Sequence, residues 1–206
     1  EGDMKLTYSA YYGIQNVANT IDMLNAEDYM IYQNEGARNA NQPEPFDLNQ
    51  IPQYDTDWQD IMFVQNAPIT NHELSITGGN EKSSFSSSLS YFSQQGIIGG
   101  EKSQFERITA RLNSKHKVND RLTFGNSLTY SSINSRGIGS NESFNGVYSS
   151  ALNLDPLTPL YEEDQDVLAN NYPYNLEPVI TNANGQVYGI SELVGAEVVN
   201  PMALLE

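Results

Sequence analysis

The most regular pattern in the chain is an alternation of serine with apolar side chains between residues 84 and 91. Successive side chains of a β-strand point to opposite faces, so this pattern predicts a strand with two different faces. One face carries Phe85, Leu89 and Tyr91, and the other carries Ser84, Ser86, Ser88 and Ser90. The solvent face of a soluble sandwich strand usually carries Lys, Glu and Thr. A row of small hydroxyls opposite an apolar face also suits a wall between lipid and a polar lumen.

The same period of two recurs in four other segments of the chain. These are residues 4–14, 73–77, 107–113 and 122–131. The pattern therefore predicts five strands, with a turn at Gly78-Gly79-Asn80 between the second and the third. The runs approach the about 9–11 residues that a tilted membrane strand needs, whereas ordinary soluble strands average about 5–6. Strand length therefore favours a membrane barrel.

The connections between the predicted strands differ greatly in length. The second and third strands meet at "GGNEKS" (residues 78–83), and the fourth and fifth at "KVNDR" (residues 117–121). By contrast, a long segment at 17–70 separates the first two strands, and no clear strand follows the fifth. Short turns at one end and long loops at the other are typical of outer-membrane barrels. Soluble sandwiches seldom contain unstructured loops beyond about 12–15 residues.

The long segments carry helix signals of their own. Asn25 is positioned to cap a short helix over residues 26–33, with Gly36 near its end. The tetrapeptide "TDWQ" predicts a capping box, with Thr56 as N-cap and Gln59 at the third helical position. A third helix is predicted within residues 145–154. We therefore expect ordered loops rather than featureless connections.

Composition narrows the functional classes. The 206 residues hold 26 Asp and Glu against 10 Lys and Arg, which argues against nucleic acid as a partner. Residues 140–206 carry no basic residue, so the acidic segments also mark where the chain leaves the predicted sheet. The chain has no cysteine, and no apolar run approaches the about 18 residues of a transmembrane helix.

No candidate catalytic or metal site emerges from the sequence. The acidic run at residues 162–166 lacks the spacing and the glycine of a calcium loop, so a solvated acidic loop is the better interpretation. His72 and His116 lie far apart without helical pairing, and no set of nucleophile, base and orienting group can be proposed. We therefore expect no enzyme activity, no metal and no cofactor.

Several stretches resemble the SusC/RagA family of TonB-dependent outer-membrane transporters. The resemblance rests on "TDWQDIMFVQNAPITNHELSITGGNEKSSFSSSLSYFSQQGIIG", on "FERITARLNSKHKVNDRLTFGNSLTYS", on the opening "KLTYSAYYGIQNV" with "LNAEDY", and on the terminal "NPMALL". Its most specific parts are Asp57-Trp58-Gln59 and the turn from Gly78 to Lys82. It covers most of residues 4–139, whereas residues 140–199 agree only in general character.

The resemblance implies an all-β fold: antiparallel strands forming part of a transmembrane β-barrel of about 22 strands, with long extracellular loops containing short helices. Residues 1–3 would connect a preceding plug to the barrel. Residues 4–139 would form the first strands with a long loop at 17–70, and residues 140–206 would be an extracellular loop segment leading to the next strand. The two tight turns would then be periplasmic. The alternative is a secreted β-sandwich that binds a carbohydrate or another ligand.

For the whole protein, the resemblance implies uptake of oligosaccharides or peptides across the outer membrane. The implied partners are a SusD-like surface lipoprotein, the TonB complex acting through the plug, and outer-membrane lipid. Flat aromatic rings stack on sugars, so Tyr54, Trp58 and Tyr161 are candidate substrate contacts; the alternative for Trp58 is packing of its own helix. Arg107 and Arg111 are predicted to face the lumen, where carboxylates of the plug or barrel would pair with them.

Overall fold

The computed structural model describes residues 2–138, 146–176, 178–195 and 198–206. The chain divides into a sheet unit (residues 1–17 and 64–137) and an excursion unit (residues 18–63 and 138–206). Glu1 of the predicted plug connection lies outside the described residues. The same holds for residues 139–145, which include the predicted boundary between the strands and the second loop.

The sheet unit is one antiparallel sheet in which every strand pairs with its neighbours in sequence. Its strands are β1 (Gly2–Gln15), β2 (Ala67–Gly79), β3 (Ser83–Gln95), β4 (Gln104–Asn119) and β5 (Leu122–Arg136). This order confirms the five predicted strands and the all-β antiparallel class. The strands contain 13 to 16 residues, more than the alternating runs alone, because polar positions at their ends continue the pairing.

Tight turns close one end of the sheet. Residues 80–82 join β2 to β3, where the Asn80 side-chain oxygen accepts hydrogen bonds from the N–H groups of Lys82 and Ser83, both at 2.9 Å. A Cβ on Gly79 would lie 2.6 Å from the Ser83 carbonyl oxygen, so the close approach of the strands requires glycine there. Residues 120–121 join β4 to β5. At the opposite end the chain leaves after β1 and β5, and residues 96–103 join β3 to β4.

Short helices and two minimal strands form the excursion unit. They are α1 (Ala26–Asn39), α2 (Trp58–Met62), α3 (Val147–Asn153), β6 (Tyr161–Glu162), α4 (Gln165–Asn170) and β7 (Val187–Tyr188). The predicted cap at Asn25 is confirmed, because its side-chain oxygen accepts the Asp28 N–H at 2.8 Å. However, α1 continues past Gly36 to Asn39. None of the helices in the described part of the chain is long and apolar enough to span a membrane.

The predicted capping box at α2 is wrong. Asp57 is the N-cap, and its carboxylate accepts the N–H groups of Gln59 and Asp60 at 2.9 and 3.0 Å. The Thr56 hydroxyl instead donates to the Thr158 carbonyl at 2.8 Å. Gln59 also has another role, since its amide bonds both the N–H and the C=O of Ile21, at 2.9 and 2.6 Å.

Side-chain amides hold other parts of the excursion unit in the same way. The amide of the fully buried Asn34 donates to the Phe46 carbonyl at 2.7 Å and accepts the Phe46 N–H at 3.0 Å. Asn200, also buried, donates to the carbonyls of Leu160 and Gly189 at 3.1 and 3.2 Å. Each amide thus ties backbone groups of segments that are distant in sequence to its own segment.

Candidate functional site

The strand register gives the sheet one apolar face. Two adjacent cross-strand rows form its centre: Tyr8, Leu74, Leu89, Ala110 and Tyr130, and then Leu6, Ile76, Ser87, Leu112 and Leu128. Residues paired across neighbouring strands share a face, so these rows are contiguous. Large apolar side chains of these rows are exposed: Leu128 is 59% exposed and Tyr130 is 63% exposed. An uncovered apolar face of this extent indicates a surface that contacts lipid or another apolar partner.

The opposite face, here called the serine face, is dominated by small hydroxyls. Its central rows are Ser9, Glu73, Ser90, Thr109 and Ser131, and Thr7, Ser75, Ser88, Arg111 and Thr129. The Thr109 and Ser131 hydroxyls are hydrogen-bonded to each other at 3.0 Å. This face is suited to water and to ligands rich in hydroxyl groups rather than to lipid.

Arg107 and Arg111 both lie on the serine face. The Arg107 guanidinium is 5.6 Å from the centre of the Phe92 ring, a cation–π distance, and Phe92 meets Phe105 edge to face at 5.9 Å. Within the described ranges, neither arginine forms a salt bridge. Their orientation toward a lumen and their pairing with plug carboxylates therefore stay predictions.

Trp58 is buried, with only 4% of its surface exposed. Its indole N–H donates to the Asp155 carbonyl at 2.9 Å, and α2 packs against α3. In this position neither ring face is open to a sugar. The placement agrees with the packing role that was the alternative for this residue.

Sequence reasoning missed Asp155, which is 1% exposed. Its carboxylate accepts hydrogen bonds from the Leu157 N–H at 3.0 Å, from the Thr158 hydroxyl at 2.9 Å and from the Ser191 hydroxyl. Neutral donors alone satisfy this buried charge within the described residues. The bond to the Leu157 N–H makes an Asx-turn, so the Asp-Pro-Leu sequence was a usable signal.

Tyr54 and Tyr161 both lie in the half-exposed part of the excursion unit. Burial raises the pKa of the Tyr54 hydroxyl, and the negative charges of Glu162 and Glu163 raise it further. The Tyr161 ring contacts the Tyr188 ring at 5.1 Å. Both predicted substrate contacts are thus partly accessible and border the acidic run at residues 162–166, and their binding role stays a prediction.

Two further tyrosines of the excursion unit, Tyr174 and Tyr188, are buried. Burial raises the pKa of Tyr174, whose hydroxyl oxygen accepts the Ile190 N–H at 2.7 Å. Burial also raises the pKa of Tyr188, which donates a hydrogen bond to Glu206 at 2.8 Å. The Tyr188 ring in turn contacts the half-exposed ring of Tyr161.

The acidic run at residues 162–166 is used for local structure. Asp164 is the N-cap of α4, and its carboxylate accepts the N–H groups of Asp166 and Val167 at 2.9 and 3.4 Å. Glu162 accepts the Asp164 N–H at 2.9 Å. In the described part of the chain, no three His, Asp or Glu side chains converge as metal ligands.

Comparison with known proteins gives a consistent picture. No protein-family model matches the chain. A TonB-dependent receptor of Formosa agariphila is 30% identical over 203 residues, which is 97% of this chain and 17% of the receptor. The TonB-dependent receptor SusC of Bacteroides thetaiotaomicron is 27% identical over 203 residues, 98% of this chain and 19% of SusC. The chain thus spans about a fifth of the length of these curated relatives.

Solved structures agree with this at the level of the fold. The chain is similar to the RagAB peptide transporter with a TM-score of 0.55 and 23% identity, over 69% of this chain and 19% of that one. For RagAB in the closed-closed state the TM-score is 0.57 at 21% identity, over 73% and 20% of the two chains. These proteins are named as receptors or transporters, not as enzymes. Over nearly its whole length the chain is thus similar in sequence to TonB-dependent receptors of the outer membrane, among them SusC, and it has the fold of part of the RagAB transporter.

Proposed function

We propose that this chain forms the first part of the barrel of a TonB-dependent transporter that imports oligosaccharides or peptides. The observation that carries the proposal is the five-stranded sheet with one continuous, uncovered apolar face and one serine face. The apolar face contacts membrane lipid, and the serine face lines the lumen through which substrate passes. Small hydroxyls leave space for substrate and bond its polar groups.

The alternative, a secreted β-sandwich binding module, is not favoured. In a sandwich, a second sheet packs against the apolar face of the first. Here Leu6 and Tyr8 of β1 and Leu128 and Tyr130 of β5 are all more than half exposed. The relatives, which are TonB-dependent receptors, also argue for the transporter.

The proposal extends to sidedness and partners. The excursion unit lies outside the cell, the two tight turns lie in the periplasm, and the excursion unit contacts a SusD-like lipoprotein that covers the substrate entrance. Energy reaches the transporter from the TonB complex through a plug. Similarity to SusC supports this, as does the similarity of the fold to that of the RagAB peptide transporter. Tyr54 and Tyr161 are the proposed substrate contacts at the entrance.

Spin labels at adjacent residues on opposite faces test the placement of the sheet. Leu128 lies on the apolar face and Ser127 on the serine face of the same strand, so each is the control for the other. In the full-length protein in lipid, a label at Leu128 should be relaxed by oxygen dissolved in the bilayer. A label at Ser127 should respond instead to a water-soluble nickel chelate. Equal responses at the two positions would contradict the proposed barrel wall.

A deletion tests the proposed partner surface. Removing residues 162–175 from the complete transporter should reduce both co-purification of the lipoprotein and uptake of substrate, because this segment carries part of the aromatic and acidic surface. Heat-modifiable migration of the barrel on gels is the control for assembly. Wild-type co-purification and uptake from a correctly assembled barrel would exclude a role of this segment in docking or entry.

A further inference from the structure

The apolar face of the sheet ends in a polar row at the end where the chain leaves for the excursions. This row, here called the upper polar row, consists of Tyr12, Thr70, Ser93, Glu106 and Asn134. Glu106 is held in place, because its carboxylate accepts the Tyr91 hydroxyl at 2.7 Å and the Asn134 amide at 3.4 Å. The row of Ala10, His72, Tyr91, Ile108 and Ser132 lies between the upper polar row and the two apolar central rows, so the face becomes polar over two rows.

The position of this row agrees with the thickness of a membrane. On β5, the row at Asn134 is ten residues from Phe124, which pairs with His116 and shares the apolar face. Ten residues at about 3.3 Å each, tilted by about 40°, rise about 25 Å. That is the usual height of the apolar band of an outer-membrane barrel. The upper polar row and the Phe124 row are thus placed at the two boundaries of the bilayer.

A pocket lies directly beyond the upper polar row, on the same side of the sheet. Its volume is about 310 Å³, at the lower end of the range for small-molecule sites. Its lining residues are Pro68, Thr70, Ser93, Gln95, Glu101 and Gln104. Gln95 and Gln104 pair across β3 and β4, so their two amides line the pocket side by side.

The lining chemistry selects one class of ligand. Acyl chains offer no partner for two amides, two hydroxyls and a carboxylate. Glu101 lines the pocket, Glu106 lies at its lower border and Arg136 pairs with Gln104 beside it, so acids outnumber the base around the pocket and a phosphate group is disfavoured. Sugar hydroxyls both donate and accept hydrogen bonds, so they match amides and carboxylates together.

We propose that this pocket binds the neutral sugar headgroup of an outer-leaflet glycolipid. The acyl chains of that lipid lie along the apolar rows below, and the headgroup occupies the pocket between Gln95, Gln104 and Glu101. The site is separate from the lumen, because its residues lie on the apolar face rather than the serine face. This inference rests on the proposed contact between the apolar face and lipid.

Native mass spectrometry of the full-length protein tests the site. The protein is released from phosphatidylcholine nanodiscs that contain a small fraction of monoglucosyl diacylglycerol, and bound lipids are identified. The wild type should retain the glycolipid in preference to phosphatidylcholine. The double substitution Gln95→Ala with Gln104→Ala should lower this retention about tenfold, because two neutral hydrogen bonds are lost. Gln94→Ala is the matched control, since Gln94 points to the other face and bonds Gln15.

Two further arms define the ligand. Replacing the glycolipid by phosphatidylglycerol should give no preferential retention, and methyl glucoside in excess should compete only weakly because it lacks acyl chains. Equal retention by the wild type and the double variant would overturn the proposal. So would preferential retention of phosphatidylglycerol, or full competition by methyl glucoside. The spin label at Leu128 separates the two failures: lipid contact there without glycolipid retention refutes only the site.

Discussion

Asp155 is the residue whose loss should most disturb the excursion unit. It is 1% exposed, its carboxylate accepts three hydrogen bonds, and its carbonyl accepts the Trp58 indole N–H. Asp155→Ala removes the acceptor from two hydroxyls and one backbone N–H. A hydrogen bond to a charged group contributes about 1.5–3 kcal/mol, and the two hydroxyls can partly rotate toward other acceptors. We therefore expect a loss of about 3–5 kcal/mol in the local free energy of unfolding.

Asp155→Asn should cost less. The amide keeps the shape and one oxygen acceptor, and a hydroxyl of Thr158 or Ser191 can turn to accept from its NH₂ group. The expected loss is about 1–2 kcal/mol. The matched control is Glu163→Ala, which removes an acid of the same unit that is exposed. Exposed substitutions of this kind usually change stability by less than about 0.5 kcal/mol.

Hydrogen exchange measured by mass spectrometry on the full-length protein reads out these differences locally. A loss of about 3 kcal/mol accelerates exchange through local opening about 100-fold, whereas about 1.4 kcal/mol accelerates it tenfold. Peptides that cover residues 146–160 and 186–195 should respond in this order, while peptides of β3 and β4 should not change. If exchange in Asp155→Ala equals that in Glu163→Ala, the carboxylate does not hold this unit together.

Three other predictions follow from the same structure. Gln59→Leu should lower the local free energy of unfolding by about 1–3 kcal/mol, because it leaves the N–H and C=O of Ile21 unpaired; exchange near that residue measures it. Tyr174 has a raised pKa in the folded chain, so its contribution to stability is complete below pH 10 and is lost as pH rises through the folded pKa; alkaline absorbance titrations of wild type and Tyr174→Phe should differ by one late-ionising group. Epitope tags inserted at Glu163 should be stained on intact cells and tags at Asn119 should not, and the reverse result would invert the proposed sidedness.

The sheet could be predicted because its information is local. A period of two along each strand assigns side chains to faces, and the tight turns fix which strands pair. The register then places Arg111 beside Ser88 and Thr129 on the serine face, as the alternation required. The exact ends of the strands were not predictable, because terminal polar residues pair without any hydrophobic signal.

Hydrogen bonds between residues far apart in sequence explain why the roles of Thr56 and Trp58 were not predicted. Thr56, the predicted cap, donates a hydrogen bond to a carbonyl 102 residues away in sequence. The indole of Trp58 donates to a carbonyl 97 residues away. The residues around Thr56 and Trp58 in the sequence do not indicate either hydrogen bond. An aromatic residue in an acidic loop could therefore be taken for a ligand contact when its partner was Asp155.

Side-chain amides hold backbone segments of the excursion unit by hydrogen bonds that do not involve its surface charges. Asn34, Gln59 and Asn200 hold backbone segments with neutral hydrogen bonds, and these depend little on ionic strength or on nearby charge. Charged side chains hold the described loops only at particular acids, such as Asp155, the helix caps Asp57 and Asp164, and Asp47, Asp55 and Glu162, whose carboxylates accept backbone N–H groups. Other exposed acids and tyrosines can be exchanged while these hydrogen bonds remain, so ligand preference can diverge among related transporters without refolding the loops.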